Sequence, residues 1–401
     1  MPSFFTTLLA AGLAAGVALG AHATTFYQSA PSSNSAFQTL VDRAQAGDVI
    51  VLRAGSHYVT TPIRLPLGKN GLTIRGEQGA VVRKAPNSYN AAAFEITGNA
   101  NTIDLLELDG GNLPEAGIII YGQRNTVSNC SVHNCGNATA VGAGILLDGG
   151  HTACALNTVV GCKVYYNYMV GVSQSRHTDG TIRDNQIYEN GAEGLTVDIY
   201  SHNGYVYNNW IHLNNTANRG VGGIGTDATN GTRFDRNTVD YTRYKSGLTF
   251  QNNVGGCDGV LVTNNRFNNN DGYGILERFT QYRDTNTLFQ NNELLGNKQG
   301  TQTIIYAGGR LATPLAAAPD AGAPVLAFYP NPARERVQLD LGPQASEASV
   351  LIRDHLGRVV QQQTLRGTGA QALPGHLAAG AYLATITIGG TVTTQKLVVL
   401  P

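Results

Sequence analysis

The sequence predicts an all-β protein whose main part is a stack of short coils, followed by a smaller β-domain. Three observations lead to this prediction: a phrase with two asparagines repeats through the middle of the chain, a glycine phrase keeps step with it, and the pattern changes after a stretch rich in Ala and Pro. Repetition at this period is typical of solenoids, in which each repeat packs on its neighbours.

The asparagine phrase consists of an apolar residue, two polar residues, an Asn, any residue, an apolar residue, two more residues and a second Asn. It occurs at 182–190, 206–214, 262–270 and 289–297 as IRDNQIYEN, VYNNWIHLN, VTNNRFNNN and FQNNELLGN. The alternation of apolar residues predicts strands with one buried face. Because so few strands cannot enclose a core alone, we expect the coils to stack.

The regular Asn has a physical reason. Asn tolerates the left-handed backbone that a sharp bend needs, and its amide can bond to the Asn of the next coil. The first Asn of each coil is therefore predicted to form a ladder of Asn185, Asn209, Asn237, Asn265 and Asn292. Upstream, the same register places Cys130 and Cys162 at the first position, and Cys135 and Asn167 at the second.

A glycine followed by apolar residues marks another strand in each coil. It occurs at Gly117, Gly144, Gly171, Gly194, Gly223, Gly247 and Gly274. Before the coils, Ser35 and Gln38 suit a capping box, and the spacing of the apolar residues predicts a short amphipathic helix that covers the first coil: Phe37, Leu40, Val41 and Ala44.

These patterns, with the Gly55-Ser56-His57-Tyr58 segment that follows the first strand, resemble the right-handed parallel β-helix of pectate lyases and their relatives. The resemblance covers residues 24–310 and implies about ten coils. It also implies that any site lies on the outside of the strands, because the inside is a solid apolar core.

The C-terminal part is similar to the type A sorting domain of the type IX secretion system. The matching segments are Tyr329-Pro330-Asn331-Pro332, Asp354-His355-Leu356-Gly357-Arg358 and Leu377-Ala378-Ala379-Gly380-Ala381-Tyr382. Residues 325–401 are thus predicted to be a small β-sandwich, joined by a linker at 311–324. The resemblance implies recognition by the type IX secretion machinery of Bacteroidota.

The N-terminal residues 1–23 are small and apolar and end in Ala21-His22-Ala23, which predicts a secretory signal peptide. We expect a secreted or cell-surface protein that passes through the periplasm and the outer membrane, with no membrane span once the signal is removed. The balance of 27 basic and 27 acidic residues argues against a nucleic-acid partner. A single chain is the expected oligomeric state.

The five cysteines suit an oxidising route without requiring disulfides. Cys130 and Cys162 would lie about 4.8 Å apart in adjacent coils, within disulfide range. Parallel stacking points both Cβ atoms the same way, so buried thiols are the favoured interpretation, and a disulfide stays open.

Outward side chains in register are the place to look for chemistry. The fourth residue after each glycine gives the column Tyr121, Asp148, Ser175, Asp198, Asp227, Gln251 and Arg278. Two adjacent carboxylates either share a cation or raise one pKa. Asp198 and Asp227 are therefore candidate Ca²⁺ ligands.

Basic and aromatic residues of the same coils complete the candidate site. Lysine, arginine, histidine or tyrosine can remove the proton next to a uronate carboxylate, and a cation can neutralise that carboxylate. Lys245, His202 and Arg243 are the catalytic candidates. The substrate-binding candidates are Arg278, His177, Tyr200 and Tyr244.

Three functions fit these residues. The first is a lyase that binds and cleaves an acidic polysaccharide; the second is a glycan-binding adhesin without catalysis; the third is a structural surface protein. The signatures of polygalacturonase-like hydrolases, mannuronan epimerases and the alginate and chondroitin lyases are not found in matching form, so the reaction rests on the site alone.

Overall fold

The computed structural model describes residues 23–306 except 87–90, 139–141, 151–153 and 280–281, and residues 327–399 except 330–336, 341–346, 355–357, 368–369, 374–376 and 389–390. The signal peptide up to residue 22, the linker 311–324 and part of the first two sorting-domain segments lie outside these residues. The chain divides into two compact units, Met1–Leu315 and Ala316–Pro401.

The first unit is a parallel solenoid, as the repeats predict. Each full coil contributes one strand to each of three parallel sheets. Sheet 1 has 11 strands: Thr25–Gln28, Val49–Leu52, Thr73–Gly76, Thr102–Asp104, Thr126–Ser128, Thr158–Val160, Thr181–Arg183, Tyr205–Tyr207, Arg233–Asp235, Leu261–Thr263 and Leu288–Gln290.

Sheet 2 has 9 strands: Gly55–Val59, Ala80–Lys84, Glu107–Leu113, Ser131–Cys135, Lys163–Tyr165, Gln186–Tyr188, Trp210–His212, Thr238–Asp240 and Arg266–Asn268. Sheet 3 has 10 strands: Ile63–Leu65, Phe94–Ile96, Ile118–Ile120, Ile145–Asp148, Val172–Ser175, Leu195–Asp198, Gly222–Thr226, Ser246–Phe250, Tyr273–Phe279 and Gly300–Tyr306. We call the bends from sheet 1 to 2, from 2 to 3 and from 3 to 1 corners 1, 2 and 3.

The asparagine ladder lies at corner 1, as predicted. The amide Nδ2 of Asn209 donates to Oδ1 of Asn237 at 2.9 Å, and that of Asn237 donates to Oδ1 of Asn265 at 3.0 Å. The left-handed residue is the one before the ladder Asn, such as Asp184 or Asn208, and not the ladder Asn itself. The ladder Asn therefore serves hydrogen bonding, and its neighbour makes the bend.

The bend glycines have a packing reason. A Cβ added at Gly171 would lie 2.5 Å from Cγ2 of Ile187 and 2.6 Å from the carbonyl oxygen of Gly194. Side chains at this position would collide with the core and with the next coil, so glycine keeps the coils at strand spacing.

The helix Asn34–Arg43 covers the first coil, as predicted, but its cap differs. The N-cap is Ser33, whose hydroxyl accepts from the Ala36 amide, so the helix starts before the predicted Ser35. Gln38 does not cap the helix; it donates to Asp42 in the helix and also bonds to the edge strand. Its side chain accepts from the Arg64 amide and donates to the Arg64 carbonyl, which satisfies the edge strand of sheet 3.

All five cysteines are buried and free. Cys130 and Cys162 lie at the predicted ladder positions, and the Cys162 amide donates to Oδ1 of Asn185 at 2.9 Å. The Cys135 amide donates in the same way to Asn167 at corner 2. Thiols thus occupy the ladder without a disulfide.

The second unit contains two antiparallel sheets, as expected of a small β-sandwich. One consists of Ala327–Tyr329, Gln338–Asp340 and Ala370–Ala372. The other has the order Val359–Arg366, Glu347–Arg353, Gly380–Ile388 and Thr391–Val399. Their buried residues form a core of their own that includes Leu339, Val350, Ile352 and Ile386.

Candidate functional site

The predicted outward column exists on sheet 3. Ser175 pairs with Asp198, and the pairing of Val197 with Thr226 places Asp227 next to Asp198 on the following coil. Further along, the pairing of Phe250 with Glu277 places Gln251 beside Arg278. The register derived from the repeats therefore brings the two aspartates into neighbouring positions.

Asp198 is the most perturbed carboxyl group of this column. Burial raises its pKa to about 7, with smaller contributions from the negative charges of Glu193, Asp227 and Asp148, while Arg176 opposes the shift. Its Oδ1 atom is buried and has no hydrogen-bond partner in the described structure. A carboxyl group that titrates near neutral pH can act as an acid or a base.

Glu193 belongs to this site although the column did not include it. It precedes the bend glycine Gly194, and its Oε1 atom accepts from the Val221 amide at 2.7 Å. Burial raises the pKa of Glu193, and the charge of Lys245 opposes that shift. We call Glu193, Asp198 and Asp227 the acid cluster.

A loop at 215–221 covers the outer face of sheet 3 beside the acid cluster. Thr249 points outward yet is buried, and its hydroxyl donates to the Val221 carbonyl. The Arg219 guanidinium lies 3.8 Å from the centre of the Tyr168 ring, which fastens the loop to an earlier coil. This cover explains why carboxyl groups on an outer face are desolvated.

Asp227 anchors a second loop. Its two oxygens accept from the amides of Asn253 at 3.1 Å and Val254 at 3.3 Å. Among the described residues, no group of three or more His, Cys, Asp or Glu side chains could hold a metal ion. The Ca²⁺ role of Asp198 and Asp227 stays a prediction.

Arg176 is a cation of the acid cluster that sequence reasoning missed. It follows strand Val172–Ser175 with a left-handed backbone, and its Nη1 atom lies 3.7 Å from Oδ1 of Asp148. The side chain is half exposed and close enough to lower the pKa of Asp198 against the larger effect of burial. Its sequence position just past the column hid it.

Arg243, Tyr244 and Lys245 lie toward the opposite end of the strands from Asp198 and Asp227. Arg243 and Tyr244 precede strand Ser246–Phe250 at corner 2, whereas Asp198 and Asp227 follow their strands at corner 3. Five residues of extended strand, from 246 to 251, span roughly 17 Å. Lys245 is half-buried, and its charge acts on the pKa of Glu193 against the larger effect of burial.

Arg243 and Tyr244 line a cleft of about 480 Å³ at corner 2, which we call the corner cleft. Tyr241, Asp271 and Lys298 also line this cleft. It extends across successive coils from Leu213 to Gly296. The predicted catalytic and substrate-binding residues are therefore divided between two places on one side of the solenoid.

His177 lies inside the solenoid and cannot touch a glycan on its surface. It is fully buried, its Nε2 atom bonds to the Asn157 amide at 3.0 Å, and burial lowers its pKa to about 4. Gly180 makes room for the ring, because a Cβ there would lie 2.7 Å from Cε1 of His177. This position removes His177 from the candidate ligand contacts.

The remaining candidates lie near corner 3. His202 is half-buried, and its amide donates to the His177 carbonyl. Tyr200 is exposed, and its hydroxyl donates to the Val254 carbonyl at 3.3 Å, so it supports the loop that Asp227 anchors. Arg278 is half-buried at the end of the column.

Comparison with protein families assigns the β-helix part of the chain to a family. Residues 68–239 and 143–311 match the family described as a right-handed beta helix region, which covers more than half of the chain. The chain belongs to the right-handed beta helix family. No curated protein matches this right-handed β-helix protein.

Solved structures with a similar fold agree. Pectate lyase Pel9A is 18% identical with a TM-score of 0.52, and the alignment covers 67% of this chain and 78% of that one. The enzymatically active domain of tailspike protein 2 of bacteriophage CBA120 is 12% identical with a TM-score of 0.49, covering 90% and 73% of the two chains. At such identities the pectate lyase likeness shows the β-helix fold alone.

The second unit indicates where the protein is located. Residues 327–400 match the secretion system C-terminal sorting domain, which confirms the type IX resemblance. The β-helix is therefore secreted to the cell surface or beyond. Among the described helices, none has the length and apolar character required to cross a membrane.

Proposed function

We propose that this β-helix protein is an acidic-polysaccharide lyase whose base is Asp198. The observation that carries the proposal is the carboxyl group of Asp198, which has a pKa of about 7 on the outer face of a long parallel sheet. A base works best when its pKa is near the working pH.

The proposed reaction is a β-elimination. The Asp198 carboxylate takes the proton next to the uronate carboxylate, the electron pair of that C–H bond forms a carbon–carbon double bond, and the bond to the glycosidic oxygen breaks. The departing oxygen takes a proton from water. Arg176 supplies the positive charge that offsets the substrate carboxylate and the negative charge developing beside it.

No metal ion is assigned a step, since the Asp227 oxygens are held by backbone amides. In this proposal Lys245 acts on Glu193 through its charge. His202 is a neighbouring polar group at corner 3. This assignment replaces the predicted Lys245 and His202 bases with Asp198, because its carboxyl group lies in the outward column and has a pKa of about 7.

The proposal is tested by incubating the full chain with pectate, alginate and glycosaminoglycans, each with and without chelator, and following the absorbance of the unsaturated product. We expect the wild type to yield product from at least one glycan, with or without chelator. Asp198→Asn should yield no product. Glu95→Gln, an exposed-face change on an early coil of the same sheet, is the matched control. If no acidic glycan yields product, the lyase proposal fails.

We further propose that secretion passes through the periplasm and across the outer membrane, read through residues 327–400 by the type IX machinery. The match of those residues to the sorting domain supports this route. Cells that make the chain without this segment should retain it in the periplasm; equal surface display with and without the segment would overturn the route.

A further inference from the structure

We propose that the corner cleft is a separate binding site for a carboxylated sugar residue of a polymer, with Arg243 as the ligand for the carboxylate. The inference takes its polymer class from the proposed function, but it concerns binding and can fail independently of cleavage.

Arg243 is the unpaired cation of the cleft. Its side chain makes no salt bridge or hydrogen bond within the described chain, and it is exposed. Most other described arginines of the β-helix have carboxylate partners, for example Arg64 with Glu95 and Arg83 with Asp109. A guanidinium matches the two oxygens of a carboxylate with parallel donors.

The acid of the cleft does not compete for this guanidinium. Asp271 uses Oδ1 for Nζ of Lys298 at 2.6 Å and Oδ2 for the Tyr244 amide at 2.7 Å. Burial would raise its pKa, but these bonds and the charge of Arg243 lower it, so the carboxylate is ionised at neutral pH. Two cations and one anion leave the cleft with one net positive charge, located at Arg243.

Two tyrosines supply flat surfaces for a sugar ring. Tyr241 and Tyr244 are 53% and 57% exposed, and both line the cleft. Elsewhere, rings are occupied with each other: Tyr165 and Tyr188 stack at 4.9 Å between centres. In the part of the chain that the structure describes, Tyr241 and Tyr244 have no ring or cation partner, so their faces are available to a ligand.

The shape fits a polymer that runs along the solenoid. Leu213, Tyr241, Asn269 and Gly296 occupy equivalent bends of four successive coils, so the cleft extends along the coil axis for roughly 14 Å, three strand spacings. A site this far from Asp198 would hold the chain of sugars while another part of it meets the acid cluster.

The experiment measures binding of size-defined oligogalacturonate and oligoalginate to the full chain by calorimetry. Parallel titrations use a sulfated oligosaccharide and a neutral oligoglucan. We expect uronate binding that weakens at least about tenfold in Arg243→Ala, and partly in Arg243→Lys. Binding should also weaken with added NaCl. Arg64→Ala, which removes an exposed arginine of an early coil, is the control and should bind as the wild type does.

Several results would overturn this inference. Unchanged uronate affinity in Arg243→Ala would do so, as would equal binding of the neutral glucan, which would indicate ring stacking alone. Tighter binding of the sulfated sugar would replace the carboxylate with a sulfate as the ligand and contradict the assignment. Asp198→Asn separates the two proposals: it should abolish product, while Arg243→Ala should weaken uronate binding by the same factor in the Asp198→Asn background as in the wild type.

Discussion

At the scale of single residues, burial decides which polar groups of this β-helix carry unusual acidity. The Asp198 carboxyl group faces outward but lies beside other acids near a covering loop, and the His177 ring lies inside the coils. Burial disfavours the charged form of both groups, with opposite consequences for the pH dependence of stability.

The first prediction concerns Asp198→Asn and stability. The folded pKa of about 7 lies above the ordinary value of 3.8, so wild-type stability falls as pH rises through this window. At pH 8 we expect the free energy of unfolding of the variant, measured in urea, to exceed that of the wild type by up to roughly 4 kcal/mol. At pH 4 the two free energies should be nearly equal. An equal change at both values would show that Asp198 is not desolvated.

The second prediction concerns His177→Gln. The pKa of about 4 lies below the ordinary 6.5, so the unfolded chain binds the proton first and wild-type stability falls as pH drops from 6.5 toward 4. The glutamine variant lacks this titration. We expect the free energy of unfolding of the wild type, relative to that of the variant, to fall by roughly 3 kcal/mol between pH 7 and pH 4. A constant difference would contradict the buried, neutral ring.

At this scale, sequence reasoning placed Asp198 in the outward column, as a Ca²⁺ ligand beside Asp227, but it missed Glu193 and Arg176. Glu193 and Arg176 lie just outside the outward column, on bends whose side-chain directions no period specifies. His177 was misplaced for a related reason: its ring turns inward to Asn157 at a bend, in space that a Cβ at residue 180 would fill.

At the scale of elements, the amide ladders hold the corners together. Corner 1 was predictable because its asparagines recur at nearly constant spacing. A third ladder, Asn101, Asn125 and Asn157 at corner 3, was not, since its members are 24 and 32 residues apart and its coils differ in loop length. The repeat period of the sequence reveals a ladder only where the loops between its members have similar lengths.

The third prediction concerns Asn237→Ala in the middle of the corner 1 ladder. The change leaves the Val206 carbonyl and the Asn209 amide groups without partners in a dry site. We expect a loss of roughly 3 kcal/mol in the free energy of unfolding. The exposed Asn253→Ala should change it by less than about 0.5 kcal/mol. Similar effects of the two changes would mean that the ladder contributes little.

At the scale of the whole molecule, the stacked coils convert sequence period into position. That conversion predicted the β-helix and the neighbouring aspartates, whereas the capping helix followed from the spacing of its apolar residues and the sorting domain from a family resemblance. It could not predict that the loop at 215–221 covers the face from corner 2 and the loop at 251–258 from corner 3, or that Arg243 and Lys245 serve different places on it. Those outcomes depend on loop packing, which leaves no periodic signal.

The central claim, that Asp198 acts as the base at a desolvated site, is tested most directly by kcat/KM measured against pH. The substrate is whichever acidic glycan yields unsaturated product. The account predicts a rate that rises with pH through about 7, as the carboxyl group of Asp198 loses its proton. A rate that is flat from pH 5.5 to 8.5, or that rises near the ordinary carboxyl value of about 4, would contradict it.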